Sequence, residues 1–367
     1  MVKILRCRLV LLAALLVFSA AGFCFAGDGD SWRLVSPELL NAGGLKIVWQ
    51  NKLPIKKGEN LERLFILGNR IYALSDHNYI VSLSGQNGNI IFSRSFAEYG
   101  FPIMGLALYG DQLFSVIGNK VVEIDLDSGV QHSATRLDLG IVCPTARNSS
   151  YFYIAGSDRR MHTLRADDKV ALFEVAAENE SMITSIVADD DIVVFGTNTG
   201  TCIGMAPQEP KRLWQFDAAD SIVGPMVRSK NALFFASRDT NVYKLDIITG
   251  RLLWKHQTGA LLESSPRVTA EKVYQYVRGR GLAAIDAESG RLLWQLPEGA
   301  EILAEAAGKN SYVITKAGEL VVMDNNTAKR LYSVNFAKVS RYVANVTDSR
   351  IYIADETGRI ACLKPIK

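Results

Sequence analysis

The sequence has few of the residues that build metal centres or disulfide frameworks. It contains five cysteines and four histidines in 367 residues. The cysteines form no adjacent pair and no C-x-x-C motif, and the histidines show no regular spacing, so neither a disulfide framework nor a zinc motif is indicated. Three cysteines, Cys143, Cys202 and Cys362, lie beyond the N-terminal region, and their wide spacing is typical of small buried hydrophobic side chains. We therefore predict no metal site and no cofactor.

Long apolar runs are also scarce, and the one present lies at the N-terminus. The stretch Leu9–Phe18 follows a basic segment and precedes small residues, which is typical of a secretory signal peptide with cleavage before Gly27. Ten apolar residues are too few to span a bilayer as a helix. Phe23 precedes Cys24 where a lipoprotein signal has small residues, which disfavours lipidation. We predict an exported chain, periplasmic or associated with the outer membrane, without lipid and without a transmembrane segment after cleavage.

The chain beyond the signal peptide carries no excess of charge. The whole sequence has 41 basic and 38 acidic residues, and residues 1–26 hold three of the basic ones and no acidic ones, which leaves 38 of each. This balance gives no electrostatic footprint for nucleic acid or for an anionic membrane surface. We therefore expect the partner to be another protein of the cell envelope.

What the sequence does contain is an internal repeat of about forty residues. Ala232–Trp254 and Lys272–Trp294 share an apolar strand, a polar turn, a second alternating strand, a turn ending in glycine, and the final residues RLLW. A fixed period of this length is typical of repeat architectures, including propellers. The repeat places an aromatic residue at Phe92, Phe173, Trp214, Trp254, Trp294 and Tyr332, with Ser133 as the exception. Four residues earlier stands a glycine at Gly88, Gly129, Gly250 and Gly290, with Lys169, Pro210 and Ala328 in weaker copies. A proline precedes the first strand at Pro102, Pro144, Pro225 and Pro266.

Each recurring position has a physical reason. The glycine is expected to adopt positive φ in the turn between the third and fourth strands, and an aspartate such as Asp246 suits an Asx-type turn there. The large aromatic residue is suited to fill the widening gap between neighbouring sheets. Proline donates no backbone hydrogen bond and is tolerated at the start of a strand. No stretch after the signal peptide shows a convincing helical periodicity.

The repeats predict an all-β, eight-bladed β-propeller of four-stranded antiparallel blades. Their second strands begin near Ile71, Leu113, Phe152, Ile192, Leu233, Val273, Val313 and Ile351. The last copy ends without a fourth strand, and Leu45–Leu53 has the pattern of that missing strand, with Trp49 at the aromatic position. Pairing this strand with the last blade closes the ring and removes exposed edges. The predicted domains are the signal peptide at 1–26, an N-terminal extension at 27–44 and one propeller at 45–367.

The repeat resembles the PQQ-type repeat of a β-propeller family that contains quinoprotein dehydrogenases and non-enzymatic scaffolds. The resemblance covers residues 45–367 and is most specific in the fifth and sixth copies. In the dehydrogenases, the family resemblance implies a quinone held by a tryptophan, adjacent cysteines in a disulfide, a calcium ion and an aspartate base. The adjacent cysteines are missing here, so we predict no catalytic residues and no enzyme. The resemblance favours the non-enzymatic branch, which includes BamB of the outer-membrane β-barrel assembly machinery. The alternative is a propeller that binds PQQ or another small ligand in its central channel.

Arginines in the turns between second and third strands suggest a binding surface. These turns carry Arg159, Arg160, Arg238, Arg278 and Arg280, and Arg359 in the last copy. In a propeller they share a face with the loops that join one blade to the next. Those loops are expected to carry acidic residues, namely Glu178, Glu180, Asp217, Asp220, Glu263, Glu298, Glu301 and Glu305. The arginines are therefore interpreted either as a partner-binding face or as a ring of exposed ion pairs of small energetic value.

Overall fold

The N-terminal part of the described chain contains one short helix and one strand. The structure is a computed structural model that describes residues 33–306 and 308–366, so the predicted signal peptide lies outside the described residues. Helix α1 (Pro37–Ala42) begins with proline after Ser36, whose side chain accepts a hydrogen bond from the Leu39 N–H. Strand β1 (Leu45–Lys52) follows. The expectation of no helix is wrong here, because six residues make less than two turns and leave little periodicity to detect.

The described residues form eight four-stranded sheets. Seven of them follow the order of the sequence from the first to the fourth strand, and the eighth combines the last three strands of the chain with β1. Blade 1 consists of β2 (Leu61–Leu67), β3 (Arg70–Ser75), β4 (Tyr79–Ser84) and β5 (Ile90–Ser95), and blade 2 consists of β6 (Ile103–Tyr109), β7 (Gln112–Ile117), β8 (Lys120–Asp125) and β9 (Gln131–Arg136). Blade 3 consists of β10 (Ala146–Arg147), β11 (Tyr151–Ala155), β12 (Arg160–Arg165) and β13 (Ala171–Ala176). Blade 4 consists of β14 (Ile183–Ala188), β15 (Val193–Thr197), β16 (Thr201–Met205) and β17 (Arg212–Asp217). Blade 5 consists of β18 (Ile222–Ser229), β19 (Ala232–Ser237), β20 (Asn241–Asp246) and β21 (Leu252–Gln257), and blade 6 consists of β22 (Arg267–Val268), β23 (Lys272–Val277), β24 (Gly281–Asp286) and β25 (Leu292–Leu296). Blade 7 consists of β26 (Gly299–Ala306), β27 (Asn310–Thr315), β28 (Glu319–Asp324) and β29 (Lys329–Asn335). Blade 8 consists of β30 (Arg341–Val343), β31 (Ile351–Ala354) and β32 (Arg359–Pro365) together with β1. A short 3-10 helix (Glu178–Glu180) connects blades 3 and 4.

The ring closes through the first and last strands, as predicted. β1 pairs antiparallel with β32, from Leu45 opposite Pro365 to Lys52 opposite Arg359. This pairing gives blade 8 its fourth strand and places Trp49 in the interface with blade 1. The described protein is therefore an all-β, eight-bladed propeller.

The hydrophobic core is divided among the interfaces between neighbouring blades. Eight clusters of buried apolar side chains occupy the eight interfaces, for example Val194 of blade 4 with Leu233 and Phe235 of blade 5. The segment before β1 contributes Leu34, Val35 and Leu40 to the cluster between blades 7 and 8. Burial of apolar area between blades holds the sheets together, because each blade exposes two apolar faces when alone.

The turn residues adopt the conformations that the repeat predicts. The four glycines of the repeat have φ between +67° and +73°. Lys169 and Ala328, which replace glycine in weaker copies, are also left-handed, with φ of +61° and +56°. Asp246 accepts hydrogen bonds from the backbone of Ile248 and Thr249, and the bond from Thr249 lowers its pKa. The recurring aspartate therefore has a structural role.

The prediction for the cysteines is confirmed, whereas the prediction for one of the four prolines is wrong. The three cysteines are free and buried, as expected, and burial raises the pKa of the Cys143 and Cys362 thiols to about 12. A thiol with so high a pKa stays protonated and is a weak nucleophile at neutral pH. Pro225 does not precede a strand but lies inside β18, where the pairing register breaks between Val223 and Val227. Because pairing is interrupted there, the absence of an N–H on this proline does not remove a hydrogen bond from the ladder between the strands.

Candidate interaction face

Chain topology places the five predicted arginines on one face of the propeller, which we call the arginine face. Arg159 lies in the turn between β11 and β12, and Arg160 is the first residue of β12. Arg238 lies between β19 and β20, and Arg278 and Arg280 lie between β23 and β24. Backbone hydrogen bonds tie these turns to the connections between blades. Ala177 N–H donates to the Arg159 carbonyl at 3.0 Å, and Arg278 N–H donates to the Leu261 carbonyl at 3.3 Å.

Along this face the arginines form two groups. Arg238, Arg278 and Arg280 belong to the adjacent blades 5 and 6, whereas Arg159 and Arg160 belong to blade 3. Blade 4 separates the groups, because its corresponding turn, at residues 197–201, carries no arginine. The face therefore offers one three-arginine patch and one two-arginine patch.

Three of the arginines contact carboxylates, each through one nitrogen. Arg159 contacts Glu180 at 2.7 Å, Arg278 contacts Glu263 at 3.0 Å, and Arg160 contacts Glu174. The arginine side chains remain 45–63% exposed in these pairs. An exposed pair with a single contact contributes roughly 0–1 kcal/mol and exchanges readily for another carboxylate.

The other two arginines have no carboxylate beside them. Among the described residues, no acidic oxygen lies within ion-pairing distance of the guanidinium of Arg238 or Arg280, and both residues are exposed. The Arg280 guanidinium lies against Gly259 in the connection from blade 5 to blade 6, where an added Cβ would be 3.1 Å from its nitrogens. The Arg280 guanidinium therefore packs against the backbone of that connection.

The acidic residues on this side differ in part from the expectation. Glu263 and Glu298 lie in connections between blades, but Glu301 and Glu305 lie in β26. The Glu305 side chain is only 9% exposed and accepts hydrogen bonds from Lys272 at 3.0 Å and from the Tyr274 hydroxyl at 2.8 Å. The expectation is wrong for Glu301 and Glu305, because β26 has eight residues and two register shifts that extend the strand over this segment. It is also wrong for Asp217, which is the last residue of β17.

An exposed aromatic pair lies on the same face and was not predicted. Tyr99 and Phe101, in the connection from β5 to β6, are 72% and 51% exposed. The Asn78 side chain donates to the carbonyls of Glu98 and Phe101 at 2.8 and 2.9 Å, which fixes the loop backbone, and His77 stacks on Tyr99. Exposed aromatic side chains on a fixed backbone are typical of binding surfaces. The segment EYGFP, with two aromatics in a connection, was the available sequence signal.

The tryptophans of the described chain pack between blades. The Nε1 groups of Trp49, Trp214 and Trp254 donate to carbonyls of the next blade at 3.0–3.1 Å, and that of Trp294 donates to the Asn325 side chain at 2.9 Å. Indoles committed in this way cannot stack on a quinone in the channel. Among the described residues, no helix has the length and apolar character required to cross a membrane.

Comparison with known proteins identifies the type of propeller. The family model for outer membrane protein assembly factor BamB matches residues 205–338. BamB of Nitrosomonas eutropha is 28% identical over 133 residues, which are 35% of this chain and 32% of that protein. BamB of Shewanella oneidensis is 22% identical over 219 residues, 55% of this chain and 54% of that protein. The chain thus matches a third to a half of the length of these curated relatives.

Solved structures extend the likeness of the fold to almost the whole propeller. The crystal structure of BamB from Moraxella catarrhalis has a TM-score of 0.66 at 15% identity and covers 87% of this chain and 97% of that one. The computationally designed protein Ika8 has a TM-score of 0.67 at 14% identity, with 87% and 99% covered. At such low identity these structures establish the fold alone. Together with the family model, they show that the chain is a β-propeller similar to the BamB proteins.

Proposed function

We propose that the protein is a non-catalytic scaffold in outer-membrane protein assembly and binds another envelope protein through the arginine face. The likeness to BamB proteins, whose name describes them as outer membrane protein assembly factors, supports the general role. The observation that carries the choice of surface is the exposed three-arginine patch of blades 5 and 6. Arg238 and Arg280 have no acidic partner among the described residues, and Arg278 has only one single-nitrogen contact.

The proposal includes export to the envelope. Residues 1–26 would act as the signal peptide, the chain would begin at Gly27, and Cys24 would be removed without being lipidated. The scaffold itself would be the propeller of residues 45–367. N-terminal sequencing of the protein from its native host checks this part, and an acylated N-terminus at Cys24 would contradict it.

The arginine face suits a partner segment with acidic side chains. Arginine offers five donors in a planar fork that matches a carboxylate. The turns that carry the arginines are fixed by backbone hydrogen bonds to the connections, so little backbone order is lost on binding. The aromatic pair Tyr99 and Phe101 provides apolar contact area on the same face.

The test compares two double variants of equal charge change. In Arg278→Ala/Arg280→Ala the arginine face loses two cations. In Arg251→Ala/Arg291→Ala the loss is on the opposite face of the same two blades, in the turns between the third and fourth strands. Proteins captured from native envelopes by the wild-type chain are identified by mass spectrometry, and the affinity of each captured protein is then measured with purified components.

We expect the first variant to bind its partner about 30-fold more weakly, which corresponds to about 2 kcal/mol. The second variant should bind as the wild type does. Both should melt within a few degrees of the wild type, because exposed pairs contribute little to stability. Equal affinity in the two variants, or capture of no envelope assembly protein by the wild type, contradicts the proposal.

A further inference from the structure

A histidine in blade 3 lies between two carboxylates. The three side chains come from two neighbouring strands and from the turn that precedes one of them. His162 on β12 is directly opposite Glu174 on β13. Asp158 lies four residues before His162, in the turn between β11 and β12. The ligand atoms of these three side chains all lie within 4.8 Å of one another.

The cluster has a defined internal geometry. His162 Nε2 is 2.9 Å from Asp158 Oδ2, and His162 Nδ1 is 3.6 Å from Glu174 Oε2. Gly156 makes room for it, because a Cβ there would lie 2.2 Å from Asp158 Oδ1 and 3.0 Å from His162 Nε2. The imidazole is largely buried, whereas both carboxylates are close to half exposed.

Arg160 holds the far oxygen of each carboxylate. Its guanidinium donates to Glu174 Oε1, and its backbone N–H donates to Asp158 Oδ1 at 3.3 Å. The oxygens that remain, Oε2 and Oδ2, are those directed toward the imidazole. Outer contacts of this kind orient the ligands of metal sites.

A neutral imidazole does not satisfy both carboxylates, whereas a doubly protonated one donates to each. A neutral imidazole has one N–H and one lone pair, so it can donate to only one of two acceptors. The other nitrogen then presents its lone pair beside a carboxylate oxygen. A divalent cation can take the place of a second proton here, because it accepts the lone pair and neutralises the two carboxylates.

From this geometry we propose that Asp158, His162 and Glu174 bind a divalent transition-metal ion, with zinc as the first choice. One imidazole and two carboxylates form a donor set that zinc accepts at distances of about 2.0–2.2 Å. The imidazole binds an ion through one nitrogen only, so the half-exposed carboxylate beside the other nitrogen has to move toward that ion. Three protein ligands leave one tetrahedral position for water. The site lies beside Arg159 and Arg160 on the arginine face but does not depend on the function proposed for that face.

The test is titration of the purified, tag-free protein with zinc chloride in a calorimeter. We expect one saturable site, weakened at least about tenfold in His162→Gln and in Glu174→Gln. The matched control is His77→Gln, because His77 has a single carboxylate, Asp76, at 2.7 Å. This control should bind zinc as the wild type does.

Thermal melting gives a second readout that separates binding from folding. Zinc should raise the melting temperature of the wild type and of His77→Gln, since a ligand of the folded state stabilises it. It should have no such effect on His162→Gln or Glu174→Gln. Zinc binding of unchanged affinity in His162→Gln, or the absence of saturable binding in the wild type, would overturn the proposal.

Discussion

At the scale of single residues, the glycine and the aromatic residue of the repeat lie in contact across those interfaces between blades at which both are present. A Cβ on Gly250 would lie 2.5 Å from Trp214 Cδ2, and one on Gly290 would lie 2.7 Å from the same atom of Trp254. The glycine therefore serves two needs, a left-handed turn and the close approach of the indole from the preceding blade. The sequence pattern predicted the first need and the filling role of the aromatic, but not their contact.

This double role predicts the cost of an alanine at the position. Gly250→Ala should lower the free energy of unfolding by about 2–4 kcal/mol, from strain at φ of +70° together with overpacking against Trp214. Gly279→Ala is the matched control, because its φ is +73° but nothing lies within 4 Å of the added Cβ. It should cost about 1 kcal/mol. Chemical denaturation measures both, and equal losses would show that the indole contact is unimportant.

At the scale of the blade, one interface uses a different solution. Between blades 2 and 3 the aromatic is replaced by Ser133 and the glycine by Lys169. The Lys169 ammonium binds the Ala166 carbonyl, three residues earlier, which is the position that receives the tryptophan N–H at interfaces such as Trp214 with Ile247. Lys169 also contacts the buried Glu123 at 2.8 Å, and Arg147 contacts Glu123 at 3.1 Å. A buried ionic cluster thus takes the place of the aromatic contact.

The cluster depends on its single acid. Glu123→Gln would leave the cations of Arg147 and Lys169 buried without a counter-charge, and we expect a loss of about 3–5 kcal/mol in stability. Glu263→Gln removes the acid of an exposed pair with Arg278 and should cost less than about 1 kcal/mol. Urea denaturation compares the two variants. Similar losses would mean that water reaches the Glu123 site.

The sequence predicted the elements that the repeat specifies and missed those that depend on pairing register. Second strands such as β19 and β23 begin within one residue of the predicted position. The cluster of Asp158, His162 and Glu174 was not predicted, because His162 and Glu174 become neighbours only through the register of β12 and β13. The repeat also located the arginines and the acidic connections that supply Glu180 and Glu263. It did not indicate Glu174, which comes from an outer strand rather than a connection.

At the scale of the whole molecule, stability depends on a ring in which every blade covers its two neighbours. Among the described residues, a cluster of buried apolar side chains fills each of the eight interfaces between blades. Blade 8 is the point of closure, since it combines β1 with β32 from the other end of the chain. The segment before β1 adds the buried Leu40 to the same region.

Truncation separates closure of the ring from burial by the preceding segment. A chain beginning at residue 44 loses Leu34, Val35 and Leu40 from the core but keeps β1, so we expect a folded monomer with a lower denaturation midpoint. A chain beginning at residue 54 also loses β1 and exposes the edge of β32, which is a template for pairing with another chain. This chain should unfold less cooperatively and form dimers or larger species, as measured by denaturation and light scattering. A synthetic peptide of residues 44–53 added in trans should restore the monomer, because it supplies the same hydrogen bonds and Trp49. If the shorter chain were monomeric and as stable as the longer one, closure by β1 would not be what holds the ring together.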